Sequence, residues 1–199
     1  HYEGSLDIAR RLVVLDSSSA EAQRDVSASL NRLGDLLSIH GDLAGARPFY
    51  EEGLQINQRL AAQDPRSAEA QRNFSVSLNK VGDILRTQGD LAGARARYEQ
   101  SLRIRERLAA ADPSSAEAQR DVGVSLERLS DVLVAQGDIA AARTRFEERL
   151  HISERLAAAD PNSASLQRDV SVSLTRLGDV LRAQGDLAGA QIGRAHVST

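Results

Sequence analysis

The chain has 199 residues, 25 Lys and Arg against 28 Asp and Glu, a formal charge of −3, and no Cys, Met or Trp. Aromatics are 3% while the apolar total is 41%, so the apolar content is mostly Ala, Leu, Val and Ile. Zero cysteines exclude disulfides, thiolate metal sites and a cysteine nucleophile, the balanced charge argues against nucleic acid as a partner, and no stretch approaches the roughly 18 uncharged apolar residues of a membrane span.

Self-comparison sets the organisation. Gly-Asp-Leu-Ala-Gly-Ala begins at Gly41, Gly89 and Gly185, and a variant begins at Gly137, always 48 residues apart. Ala-Glu-Ala-Gln-Arg begins at Ala20, Ala68 and Ala116, and Asp-Pro recurs at Asp64, Asp112 and Asp160. Between residues 68–115 and 116–163, 29 of 48 positions are identical.

In chain order, Tyr2-Glu3-Gly4-Ser5-Leu6-Asp7-Ile8 aligns with Tyr98–Ile104 at an offset of 96, so residues 1–19 read as part of a second helix in a truncated repeat. Repeats follow at 20–67, 68–115 and 116–163. Residues 164–190 give a first helix and the start of a second, and 191–199 form a non-repeat tail. Each unit reads as two helices. In the repeat 68–115 the first is predicted at Ala68–Thr87, with Val76, Leu78, Val81, Ile84 and Leu85 at helical spacing. Gly89 is a left-handed stop and Asp90 the next N-cap. The second helix is predicted at Leu91–Ala111, carrying Ala94, Tyr98, Leu102, Ile104 and Leu108. Asp112-Pro113 should end it and cap the next helix, with Pro in the first turn. Pro48, a turn into a second helix, should kink it. No window alternates with period two, so no sheet is expected.

Leu33-Gly34, Ala46 and Tyr50 recur as Val81-Gly82, Ala94 and Tyr98, then as Leu129-Ser130, Ala142 and Phe146; the last unit keeps Leu177-Gly178 and Ala190. In this pattern the units resemble tetratricopeptide repeats. The resemblance implies an all-α fold, a right-handed superhelical array of antiparallel helix pairs (an α-solenoid). It also implies a concave groove lined by first helices that holds a protein or peptide partner. The unit is longer than the family's usual 34 residues, and the extra length is placed at the start of the first helix and the end of the second. The family's small residue late in the second helix is here Gly53, Ser101 and Arg149, and Arg149 fits that pattern worst. The aromatic is expected to fill the gap to the next repeat.

Chemistry is sparse in the sequence. His40 and His151 replace Gln and Arg in other units, and no His recurs with a second ligand at metal spacing. The Gly-Asp-Leu-Ala run lacks the Lys-Ser/Thr end of a phosphate loop. No catalytic residue, cofactor or metal site is assigned, and the expectation is a non-enzyme. On the first helices, i, i+3/i+4 steps place residues on one face: Arg24, Ala28, Asn31, Asp35, Ser38; Arg72, Val76, Asn79, Asp83, Arg86; Arg120, Val124, Glu127, Asp131, Val134; Arg168, Val172, Thr175, Asp179, Arg182. The partner-binding candidates are Arg72, Asn79, Asp83, Arg86, Arg120, Glu127, Asp131, Val134, Asp179 and Arg182.

The Arg and Asp columns have a structural reading too, in which each Asp pairs with the cation three residues before it (Asp35–Arg32, Asp83–Lys80, Asp131–Arg128, Asp179–Arg176). The Lys and Asn clamp that co-chaperone members of this family close on a terminal carboxylate finds Asn31, Asn79 or Glu127 in place of Lys, and Asp in place of Asn. A partner of mixed charge or a basic stretch therefore fits better.

The leading expectation is a non-enzymatic protein-interaction scaffold. A second is a regulatory or sensor arm of a larger bacterial signalling protein, and a third a passive spacer. The tail resembles an in-frame translation of a sequencing adapter, so a fragment of a longer repeat protein is expected, with a native tail as the alternative. Apolar Leu6, Ile8 and Leu12 at one end, and Leu174, Leu177 and Leu181 at the other, would then be exposed and favour self-association. Arg greatly outnumbers Lys (Lys80 alone), which suggests GC-rich bacterial coding; a cytoplasmic location is expected.

Overall fold

The computed structural model describes residues 19–185 together with Gly4, Asp7, Ile8 and Arg11. The sequence readings for the rest of 1–18 and for 186–199, the tail and Leu6 and Leu12 included, lie outside the described residues. Seven helices and no strand are found among the described residues: α1 (Ala20–Ile39), α2 (Leu43–Gln63), α3 (Ala68–Thr87), α4 (Leu91–Ala111), α5 (Ala116–Ala135), α6 (Ile139–Ala159) and α7 (Ala164–Ala183). The bounds of α3 and α4 are those the sequence pattern predicts. At 20 or 21 residues each helix is about 30 Å long.

Local chemistry fixes these bounds. Within a pair, the first helix ends at a glycine of positive φ (Gly41 at 82°, Gly89 at 85°). Beyond it Asp42 N–H donates to Leu37 O at 2.9 Å, the six-to-one bond that closes the last turn. The same aspartate then caps the second helix, its Oδ1 accepting from Gly45 N–H at 2.8 Å; Asp90 does the same for Gly93 at 2.8 Å. Between pairs the structure corrects the sequence reading. Asp64 and Asp160 are C-caps, not N-caps, and Pro lies in the turn rather than in a helix. The N-caps are serines three residues on: Ser19, Ser67 and Ser115 each accept the backbone N–H of the residue three later at 3.1 Å. Asp-Pro suits a stop because proline disfavours the helical region in the residue before it. Pro48 sits inside α2, which runs on through it to Gln63.

The chain divides into two compact units, one up to Ile104 and one from Arg105 on, so the division falls inside α4. In the first unit α2 packs against both α1 and α3. Its core joins Val26, Leu30 and Leu33 of α1 to Ile56 and Leu60 of α2, with Phe49 packed against them. In the second unit α6 packs against α5 and α7 in the same way, around buried Leu126, Leu129, Val132, Ala142 and Phe146. Ile8 is 61% exposed, while Leu181, expected at the surface, is 7% exposed.

The tightest approach lies within each pair. A β-carbon added at Gly34 would stand 2.6 Å from Tyr50 Cε1, and one at Gly82 would stand 2.6 Å from Tyr98 Cε1. The aromatic expected to fill the gap to the next repeat therefore lies against the glycine of its own pair. In the third repeat the two positions are Ser130 and Phe146, both buried, and Ser130 Oγ donates to Leu126 O at 2.7 Å. Buried polar residues mark the packing of one pair on the next. Asn57 of α2, 4% exposed, donates to Ser27 Oγ at 2.7 Å and to Ser77 Oγ of α3 at 2.8 Å. At the equivalent place in the second unit, Ser153 Oγ of α6 meets Ser173 Oγ of α7 at 3.0 Å.

Gly82→Ala should lower stability by about 1–3 kcal/mol, because the ring of Tyr98 cannot yield without moving a helix. Gly123→Ala, where an added β-carbon meets nothing closer than 3.9 Å, should instead gain up to about 1 kcal/mol of helix propensity. Urea midpoints of the two variants check the contrast; equal midpoints would remove the close approach as a determinant of spacing.

Candidate partner-binding face

The first helices α1, α3, α5 and α7 carry the predicted face, and the structure grades its columns by depth. Arg72, Arg86, Arg120, Asp179 and Arg182 are exposed, as is Val134 at 38%. Asp83, Glu127 and Asp131 are half-buried, and Asn79 is buried at 4%. The Asn79 amide oxygen has no donor.

The half-buried aspartates serve the helix pair itself. Tyr50 O–H donates to Asp35 Oδ1 at 2.6 Å, and Tyr98 O–H to Asp83 Oδ1 at 2.8 Å. Burial of the ring, then the adjacent carboxylate, pushes both tyrosine hydroxyls well above their ordinary value, since an anion there would be poorly solvated and repelled. Lys80 Nζ reaches Asp35 of the preceding repeat at 2.5 Å and lies 5.8 Å from the Tyr50 ring centre. This corrects the expected pairing of Lys80 with Asp83. Likewise Arg176 takes Glu127 of the preceding repeat at 3.6 Å, and Asp179 is held by Arg182.

The arginine column also joins neighbours. Arg24 lies 3.6 Å from Glu69, while Arg120 binds Asp169 at 3.2 Å and Ser165 Oγ at 2.9 Å. Exposed pairs of this kind contribute about 0–1 kcal/mol each, so they set the relative placement of neighbouring helices more than they hold them together.

Arg149, which breaks the small-residue pattern, is accommodated. It is 8% exposed, pairs with Glu127 at 3.2 Å and donates to Ser173 Oγ. The position facing it on α5 is Gly123, where the first repeat has Ser27. In that repeat Ser27, Asn31 and Gly53 fill the same space with small uncharged groups, and Ser27 Oγ donates to Gly53 O at 3.3 Å. Three positions change together, so the arginine is accommodated by its neighbours on α5 rather than by a small residue at its own position.

Between consecutive first helices each unit has a cleft. In the first unit it measures about 410 Å³ between α1 and α3, with Ala28 and Val76 on its walls and Asn57 at its floor. In the second unit it measures about 140 Å³ between α5 and α7, lined by Gly123, Val124, Ile152 and Leu156. Five positions of the first cleft (Arg24, Ser27, Ala28, Asn57, Asn73) recur 96 residues on in the second as Arg120, Gly123, Val124, Ser153 and Asp169. Sequence reasoning missed both clefts, since their width depends on helix separation. It also missed the polar junctions, although serine at 29, 77, 125 and 173 on otherwise apolar faces was a visible signal. His40 Nδ1 bonds Leu36 O at 2.7 Å, a helix-end contact, and His151 is exposed on α6. Among the described residues no group of three or more His, Cys, Asp or Glu could hold a metal, and no helix is long and apolar enough to cross a membrane.

A tetratricopeptide-repeat family profile matches residues 26–65 and 75–113. The segments 26–65 and 75–113 are tetratricopeptide repeats. No curated protein matches the sequence. Among solved structures, a protein of nearly identical TPR-like repeats from Podosopora anserina is similar at 17% identity and a TM-score of 0.65, over 99% of this chain and 85% of that one. BtubC (BKLC) from P. vanneervenii is similar at 19% identity and a TM-score of 0.55, over 96% and 85%. MamA is similar at 14% and 0.53, over 98% and 85%. At these identities the likeness shows the fold, a tetratricopeptide-like α-solenoid of helix pairs. Tetratricopeptide arrays are in general protein–protein interaction scaffolds rather than enzymes.

Stability should be full below about pH 10, the ordinary tyrosine value, and should fall as pH rises beyond it toward the raised folded values, because only the unfolded chain then loses the protons. The Tyr50→Phe/Tyr98→Phe pair should cost about 1 kcal/mol per lost hydrogen bond at pH 7 and decline less steeply above pH 10. Urea midpoints across that range check both; parallel alkaline declines would contradict the assignment.

Proposed function

We propose that this array is a non-enzymatic interaction scaffold whose first helices hold a segment of a protein partner. The observation that carries the reading is the distribution of exposed apolar side chains. Among residues 19–185, every exposed large hydrophobic stands on a first helix: Leu36, Ile39, Val124, Val134 and Val172. Exposed apolar side chains grouped on one class of element, with charged neighbours, mark an interaction surface. Val124 and Val134 lie on the predicted face beside Arg120, and Val172 lies on it with Asp179 and Arg182. In the first unit the same face offers Arg72 and Arg86. Asp83, Asp131, Glu127 and Asn79, half-buried or buried, shape this face from beneath and act on a partner through their neighbours.

Peptides selected against the whole chain from a random display library should lose affinity at least about tenfold when Val124 and Val134 are both changed to Asp, since each replaces desolvated apolar contact with a charge. They should be indifferent to Glu154→Ala, an exposed change on α6. Peptides that bind Val124→Asp/Val134→Asp unchanged and lose affinity with Glu154→Ala would overturn the reading.

A further inference from the structure

Charge pairs between consecutive first helices recur in a common register. In the first unit Arg24 of α1 lies 3.6 Å from Glu69 of α3, and Lys80 of α3 reaches back to Asp35 of α1 at 2.5 Å. In the second unit Arg120 of α5 binds Asp169 of α7 at 3.2 Å, and Arg176 of α7 reaches back to Glu127 at 3.6 Å. Each first helix thus has two charged flanks. The flank toward the following helix carries an arginine early and a carboxylate later. The flank toward the preceding helix carries a carboxylate early and a cation later.

On α1 and on α7 one such flank has no neighbour of this kind. The preceding-side flank of α1 carries Glu21 and Asp25, equivalent to Glu69 and Asp169, then Arg32, equivalent to Lys80 and Arg176. All three are exposed, and their side chains have no hydrogen bond or ion pair among the described residues. The following-side flank of α7 carries Arg168, equivalent to Arg24 and Arg120, then Asp179, equivalent to Asp35. Both are exposed; Arg168 has no side-chain partner among the described residues, and Asp179 is held by Arg182 of its own helix. Burial marks the same two flanks as open. Leu36 on α1 is 39% exposed, whereas its equivalents Ile84 and Val180 are 4%. Thr175 on α7 is exposed, whereas its equivalents Asn79 and Glu127 are buried and half-buried.

We infer that α7 of one copy of this chain docks on α1 of a second copy, in the register that α1 takes with α3 and α5 takes with α7. Arg168 then meets Glu21 and Asp25, Asp179 meets Arg32, and exposed Leu36 and Val172 are covered. A second copy is the fitting occupant because one chain carries both complementary flanks, and it already forms this kind of pairing in each of its units. The contact is heterologous, so a docked copy keeps one flank of its own for a third. Exposed charge pairs are weak and screened by salt, so the assembly is reversible and salt-sensitive. Docking uses the α7 part of the partner face and leaves Val124 and Val134 open, so it stands apart from the groove reading.

Sedimentation velocity of the full chain over a range of concentrations tests the docking. It is run at ionic strengths of about 0.01 M and 1 M, where the screening length is about 30 Å and 3 Å. At low salt the average mass should rise with concentration, and high salt should weaken the association at least about tenfold. Glu21→Arg/Asp25→Arg in one variant, and Arg168→Glu in another, should each weaken it at least about tenfold at low salt, since each sets like charges together. Mixing the two variants should restore it, because each reversed flank then meets its opposite; two misfolded variants would not recover. Val124→Asp/Val134→Asp should associate as the unaltered chain does. A constant mass at every concentration in low salt, indifference to Arg168→Glu, or no recovery on mixing overturns the docking. Copies that associate in this way yet yield no peptide dependent on Val124 and Val134 would sink the groove reading and leave the docking in place.

Discussion

A tyrosine ring against a glycine, with no space for a β-carbon between them, sets the distance between the two helices of a pair. Much of the surrounding chemistry depends on that distance. Once the ring is pinned, its hydroxyl falls at the aspartate that directly follows that glycine on the first helix, and the aspartate is drawn half out of solvent. In the first repeat the same carboxylate also receives Lys80 from the following one. A packing constraint inside one pair is in this way relayed to the contact between pairs. Where the third repeat substitutes Ser130 and Phe146, the hydroxyl moves from the aromatic to the first helix, and the aromatic keeps only its bulk.

The helices were legible in the sequence because their ends are made by residues with one strong local preference. Glycine at the positive-φ stop and aspartate just after it act through the nearest few backbone groups, so spacing alone places them. The Asp-Pro turn was misassigned at one position for the opposite reason. Aspartate and serine are both good caps, and only the backbone decides that Asp64 closes one helix while Ser67 opens the next.

The site was less legible. A helical wheel groups Arg24, Asn31 and Asp35 on one face, but it does not say how far the neighbouring helix covers each of them. Asn79 reads as a surface residue on the wheel and is buried, while Lys80 reads as a partner for Asp83 and serves Asp35 instead. Arg149 misled because its fit depends on Gly123 and Glu127, which stand on another helix and compensate for it jointly. The clefts are properties of helix separation and have no single-residue signature.

The coupling of Gly123, Glu127 and Arg149 bears on how such an array can be rebuilt by recombination between its own similar repeats. A crossover at the Asp-Pro turn exchanges whole pairs and meets a constant serine at 77, 125 or 173 on the incoming helix, which can bond to Asn57 or Ser153 alike. A crossover at the turn inside a pair would part Glu127 from Arg149 and leave a half-buried carboxylate beside a glycine or a serine, a costly arrangement. The boundary at which units can be gained or lost without harm is therefore the proline turn, so the number of repeats can drift while the helix pair stays whole.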